Sequence, residues 1–162
     1  MTTLHNILSA HDSAMHATAH GTQMHGRLQH IVIDGQNTRG DAVLIQLIQN
    51  NPDLVPFFAP NSRVEVPIAG TINNRFISRR IDRLRIDDDT KSISILDYKT
   101  DINHNTFRDK YIIQLREYMT LLRALYPDYK ISAYILWTHD FSLEKLPVKP
   151  LYSGHVNWIK HF

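Results

Sequence analysis

The 162-residue chain contains no cysteine. That excludes disulfides, a thiol nucleophile and every cysteine-ligated zinc or iron–sulfur centre. Long apolar runs are missing too, and nothing approaches the roughly 18–20 residues of a membrane span. Residues 1–20 have neither a basic start nor an extended apolar centre, so no signal peptide and a cytoplasmic location are expected. The pattern GxxxxGKS/T is absent, and with it the expectation of an ATP-driven motor. GxGxxG and GxSxG are absent as well, which removes dinucleotide binding and the hydrolase elbow. No internal repeat or heptad run is visible. Charge is nearly balanced at a net +2, a slight lean toward polyanions.

What remains is a globular composition, 43% hydrophobic and 21% charged. A chain of this length can bury roughly two thirds of its unfolded surface, enough for one domain with a proper core. Histidine is abundant: ten residues, six of them (His5, His11, His16, His20, His25, His30) within the first thirty positions. His16 and His20 share a helical face. His20, His25 and His30 are five apart and turn by roughly 140° per step, so they do not. HExxH is absent. A zinc- or nickel-binding histidine cluster and a set of solvated side chains are the two readings of this series.

Periodicity outlines the elements. Residues 1–20 read as a polar, frayed extension, 21–147 as the domain and 148–162 as a tail. Met24, Leu28 and Ile31 give helical spacing from Gly21 to Ile33, stopped by Asp34-Gly35-Gln36-Asn37. Asp41 opens a second helix with Val43, Leu44, Leu47 and Ile48 as its apolar face. Phe57 and Phe58, between two prolines, are expected against the core. Arg63–Ile68, Phe76–Leu84 and Ser92–Lys99 read as an antiparallel meander, with turns at Gly70 with Asn73-Asn74 and at Asp87–Lys91. Pro67 marks a strand end or an edge. A helix from about Phe107 to Tyr126 carries the stripe Tyr111, Leu115, Tyr118, Leu122, Leu125. Lys130–Trp137 is a last strand, expected parallel to one of the first three because a helix intervenes. The expectation is an α/β fold with a mixed sheet of about four strands flanked by helices.

Asp82, Asp97 and Lys99 carry the chemistry. Asp97 and Lys99 are two apart on a strand and leave the same face. With the turn at 87–91, positions 82 and 97 fall opposite each other. Two carboxylates and an ammonium then meet at one sheet edge. Two aspartates can anchor a hard cation such as Mg²⁺ and leave positions for a phosphate and a water. Lys99 can hold that water or neutralise developing charge. The plainer alternative is a solvated strand end with a trivial ion pair.

Four segments carry a resemblance. Gly21-Thr22-Gln23-Met24-His25, Arg80-Ile81-Asp82-Arg83-Leu84, Ile95-Leu96-Asp97-Tyr98-Lys99-Thr100 and Gln114-Leu115-Arg116-Glu117-Tyr118 resemble the GTxxH, IDRL, DYKT and QxxxY motifs of the RecB-like branch of the PD-(D/E)XK nucleases. Phe58–Ile68 and Leu121–Pro127 through Thr138 are similar to the C-terminal nuclease domain of the alphaproteobacterial AddA helicase–nucleases, which act in double-strand-break repair. The resemblance implies the PD-(D/E)XK fold and Mg²⁺- or Mn²⁺-dependent hydrolysis of DNA, with no nucleotide cofactor and no membrane. It implies Asp82 and Asp97 as metal ligands, His25 as a further ligand and Lys99 as the catalytic lysine. Gln114 and Tyr118 would support the site or touch DNA; for Tyr118 a core role is the rival. Glu65 matches a family glutamate, with a strand-end ion pair as its rival. Arg79 stands where the family favours glycine, and its long side chain could crowd the site or contact phosphate.

Regular alternation puts Arg79, Arg83 and Arg85 with Ile77 and Ile81, and Arg80 with Asp82, so Arg80 is the better phosphate contact. Arg108, Lys110 and Arg116 would add to a DNA-facing rim. The helicase part of the AddA proteins has no counterpart in these residues. The expectation is therefore a stand-alone nuclease or the subunit of a split enzyme whose helicase is a separate partner. The alternative is a catalytically silent DNA-binding or assembly module that keeps the fold.

Overall fold

A computed structural model describes residues 19–147 and the backbone of Val156–Asn157. Most of the expected N-terminal extension, His5, His11 and His16 included, lies outside the described residues.

Helix α1 covers 19–29, short of the expected end at Ile33. Past Leu28 the backbone finds other partners: Val32 bridges to Arg39, and the Ile33 N–H donates to the Phe58 carbonyl at 2.8 Å. The return segment closes at Gly40, with φ +126°. A Cβ there would stand 2.8 Å from Ile31 Cγ1, so only glycine fits. Asp41 caps α2 (Ala42–Gln49) by accepting from the Val43 and Leu44 amides. The same carboxylate takes Arg27 at 2.7 Å, tying α1 to α2. Leu44 and Ile48 are buried, but Val43 and Leu47 are exposed, so the apolar face is half as wide as its spacing suggests. Phe57 and Phe58 sit in the core on a 3₁₀ turn, as expected.

The sheet has six strands in the order β5-β4-β3-β2-β1-β6. They are β1 (Arg63–Ile72), β2 (Arg75–Asp87), β3 (Ser92–Lys99), β4 (Lys130–Trp137), β5 (Ser142–Lys145) and β6 (Val156–Asn157). The meander β1-β2-β3 and the parallel β3–β4 pair match the reading of the sequence. The expected four strands are too few. Strand β5 is a short hairpin partner of β4, and β6, inside the expected tail, pairs with Thr71 and Ile72 of β1. Gly70 lies within β1 rather than in a turn; Asn73 and Asn74 make the turn alone, at φ 50° and 61°. Pro67 sits mid-strand opposite Arg80; among the described residues β6 pairs with β1 at Thr71 and Ile72, away from the proline.

Helix α3 (Arg108–Leu125) crosses between β3 and β4 and covers one face of the sheet. Leu115, Tyr118 and Leu122 are buried with Ile77, Ile81, Ile95 and Ile135, while Leu125, the last member of the expected stripe, is half exposed. The opposite face buries Leu28, Ile31, Leu44, Ile48 and Phe58 against Leu96, Tyr98 and Leu136. Strand β3 feeds both layers, with Ile93 and Ile95 on one side and Leu96 and Tyr98 on the other.

The alternation in β2 slips by one at Asp82. Ile77, Ile81 and Leu84 all pack beneath α3. Arg83 instead enters the opposite layer, 1% exposed, so it does not share a face with Ile77 and Ile81. Its guanidinium donates to the carbonyls of Leu28 (2.8 Å), Ile31 (2.8 Å) and Phe57 (3.0 Å) and to the Tyr98 hydroxyl (2.8 Å), and lies over the Phe58 ring. Two of those carbonyls close the C-terminal end of α1, where orphan acceptors and a partial negative charge gather. The buried cation thus ends one helix and binds it to the sheet.

Candidate active site

The slip at Asp82 belongs to the site. In β1–β2 the pairs Val64↔Arg83 and Val66↔Ile81 leave Glu65 and Asp82 facing each other unpaired, with Glu65 at φ 52°. In β2–β3 the ladder ends at Arg83↔Leu96, and continuing it by one step sets Asp82 opposite Asp97. There the Asp82 carboxylate accepts the Tyr98 amide at 2.7 Å, replacing a ladder bond. Three acidic residues, Glu65, Asp82 and Asp97, therefore stand at one level on three neighbouring strands.

An open cleft of about 570 Å³ lies over this level, lined by His25, Glu65, Asp82, Lys99, Asp101 and Tyr111. Helix α1 delivers His25. At Gly21 the helix runs against Thr100, whose Oγ1 would stand in ordinary contact, 3.4 Å, with an added Cβ. The His25 Nδ1–H donates to the Gly21 carbonyl at 2.8 Å, which leaves Nε2 to face Asp82 Oδ2 at 3.4 Å. Burial pulls the imidazole toward the neutral form, but the hydrogen bond and charge of Asp82 outweigh it, and its pKa is raised.

Asp97 is 2% exposed. Burial pushes its pKa up to about 6, with the Lys99 charge pulling it partly back and the Asp82 charge adding to the rise. Its Oδ2 lies 2.6 Å from Lys99 Nζ yet receives no aligned hydrogen bond. The Lys99 ammonium is held by Gln114 Oε1 at 3.2 Å and sits 4.2 Å from the centre of the Tyr111 ring. Gln114 in turn donates to the Tyr118 hydroxyl at 2.6 Å, and that hydroxyl donates to the Arg80 carbonyl at 3.3 Å. Helix α3 thus reaches the lysine through a chain fastened to β2.

Of the residues picked from the sequence, His25, Asp82, Asp97, Lys99 and Gln114 converge, with Tyr118 behind them. Tyr118 is 1% exposed, so it supports the site from the core and presents no surface to a ligand. Arg80 is exposed and pairs with Glu65 at 3.5 Å on the rim. Arg79 reaches away from the cleft, toward the buried Glu117 of α3 (3.9 Å), which also pairs with Arg75; neither crowding nor cleft contact occurs. Arg108 is bound to Glu144 at 2.5 Å and so is not a free rim cation. Tyr111 and Asp101, hydrogen-bonded at 2.5 Å, form a wall of the cleft that the motifs did not single out. The continued spacing Asp97, Lys99, Asp101 was the available signal.

The donor set suits a hard divalent cation. Asp82 and His25 line the cleft, and the buried Asp97 Oδ2, which makes no aligned hydrogen bond, is balanced by the Lys99 ammonium at 2.6 Å, a charge that a cation could take over. No protein-family model matches the chain, and no curated protein matches it. Among the described residues no helix is long and apolar enough to cross a membrane.

Proposed function

We propose that the protein is a metal-dependent deoxyribonuclease of the RecB-like PD-(D/E)XK type, acting in DNA double-strand-break repair or recombination, alone or beside a separate helicase. One observation carries the reading: the Asp82 carboxylate, His25 Nε2 and Lys99 Nζ meet at one open cleft, with the buried Asp97 carboxylate 2.6 Å from that ammonium.

Asp82, Asp97 and His25 would hold Mg²⁺ or Mn²⁺. When bound, such an ion polarises a phosphoryl oxygen and acidifies a water. The chain's own residues do the rest. His25 is oriented by the Gly21 carbonyl, which keeps Nε2 as the acceptor. A cation held by Asp97 would compete with its ion pair to Lys99, and Gln114 would keep that lysine in place. Its ammonium can then donate to the attacking water and offset charge on the phosphate. Arg80, exposed on the rim, is placed to meet a backbone phosphate.

The direct test incubates the purified chain with linear single- and double-stranded DNA and Mg²⁺ or Mn²⁺. Cleavage is expected, and its loss by about 10²-fold or more in Asp97→Ala and Lys99→Ala. Activity that survives either substitution overturns the assignment. The 2.6 Å Asp97–Lys99 pair favours a second reading, a silent DNA-binding or assembly module in which the pair is a permanent lock. It predicts retarded migration of DNA without cleavage at any metal concentration.

A further inference from the structure

A second group of metal-ligating side chains lies outside this cleft. His104 comes from the 100–107 connection, and His139 with Asp140 from the turn between β4 and β5. One ligand atom from each lies within 4.8 Å of the others. His104 Nε2 is 3.4 Å from Asp140 Oδ2, and His139 Nδ1 is 3.8 Å from Asp140 Oδ1.

Three features set this group apart from a chance surface meeting. The His104 ring is stacked on buried Trp137, with centroids 4.0 Å apart and planes 8° apart, so its direction is set. Its Nε2 is shielded from solvent and makes no hydrogen bond. Asp140 is aimed as well: Oδ1 accepts the Ser142 amide at 3.0 Å and the Ser142 hydroxyl at 2.7 Å, leaving Oδ2 toward His104. Ligands oriented by outer hydrogen bonds and stacking are the usual support of a metal centre.

We propose that His104, His139 and Asp140 form a transition-metal site of the zinc class, separate from the Mg²⁺ ligands of the cleft. Two imidazole nitrogens are borderline donors that favour Zn²⁺, Co²⁺ or Ni²⁺ over Mg²⁺, and the carboxylate oxygen is a ligand zinc also accepts. Three protein ligands leave a fourth position for water. The ion joins the 100–107 connection to the β4–β5 turn. That connection runs from Lys99 to the start of α3, so the tie steadies the segment carrying Asp101 and the approach to Tyr111 and Gln114. The site does not depend on the nuclease reading.

The test uses the full chain stripped with chelator, in excess Mg²⁺, titrated with Zn²⁺ alone by calorimetry and thermal melting. Other histidines also bind zinc, so the readout is a difference. His104→Gln/His139→Gln should lose one equivalent of Zn²⁺ and the matching rise in Tm, roughly 5–10 °C at a hundredfold excess over Kd. Arg85→Met, away from both groups, should keep both. Equal stoichiometry and equal Tm rise in wild type and double variant overturn the site. Should the double variant fail to fold, Co²⁺ added to the wild type decides. The visible absorption of a four-coordinate ion, with shifted His104 and His139 ring resonances, supports the site; unshifted resonances refute it.

Discussion

Replacing Arg83 by methionine tests how the fold is held at its centre. The substitution keeps a long side chain and removes every donor. The carbonyls of Ile31 and Phe57 and the Tyr98 hydroxyl lose their Arg83 donor at once, while the Leu28 carbonyl keeps the Ile31 amide at 3.2 Å. A buried acceptor left without a donor costs about 1–3 kcal/mol, so two of them exceed the roughly 1 kcal/mol usual for a point substitution. The opposing term is also real, because a buried cation carries a desolvation penalty and apolar replacement of a buried ion pair can stabilise. Here no carboxylate is among the hydrogen-bond partners, and the backbone groups cannot be replaced along with the arginine. The net expectation is a loss of about 3–5 kcal/mol, a large share of the ~5–15 kcal/mol of a typical domain. Urea unfolding by circular dichroism reads it, with the m-value held constant. Arg83→Lys should recover part of the loss, since one ammonium reaches fewer acceptors. The partly exposed Arg85, 3.4 Å from Asp87, is the control: Arg85→Met should cost less than about 1 kcal/mol. An Arg83→Met protein within about 1 kcal/mol of wild type at unchanged m would refute the reasoning.

Three further outcomes follow from the structure. Asp97 has its pKa raised from 3.8 to about 6, so the folded state binds that proton more tightly and stability falls as pH rises between those values. In chelator, Asp97→Asn should escape that fall and exceed wild type by about 1–3 kcal/mol at pH 8 but not at pH 4; a difference independent of pH in urea titrations contradicts this. Gln114→Leu cuts the link between Lys99 and Tyr118, and should lower DNA cleavage by about 10–100-fold with the melting temperature little changed. Unaltered kcat in that variant would separate Gln114 from the lysine's positioning. Gly40→Ala meets both a positive φ and a contact at 2.8 Å, so a loss of about 1–3 kcal/mol is expected in thermal unfolding; a neutral result would mean that the Ile31 segment yields freely.

Short-range signals were legible where local chemistry decides structure. Asp41 as a helix cap, the Asn73-Asn74 turn and the β3 limits at Ser92 and Lys99 all follow from residue type and spacing. Strand β5, four residues beside β4, and β6, two residues long, were not, because pairs this short are stabilised by the edge they join. Leu125, Val43 and Leu47 misled for a related reason: period 3.6 marks a face, but the neighbour's extent decides how much of it is covered.

The same division holds for the candidate site. The sequence alone placed Asp82 across from Asp97 and Lys99 beside it, because a tight turn and a period of two leave little freedom. It also marked His25, Gln114 and Tyr118 as a set, through their motifs. Only the tertiary structure decided that α1 turns His25 onto Asp82, that Tyr118 is core, and that Arg79 leaves the cleft for Glu117. It alone put Arg83 inside the fold, because a one-residue slip in β2 exchanges the faces that regular alternation assigns. And it alone brought His104 to His139 and Asp140, residues joined by no sequence pattern, because parallel strands bring distant loops together at one end of a sheet.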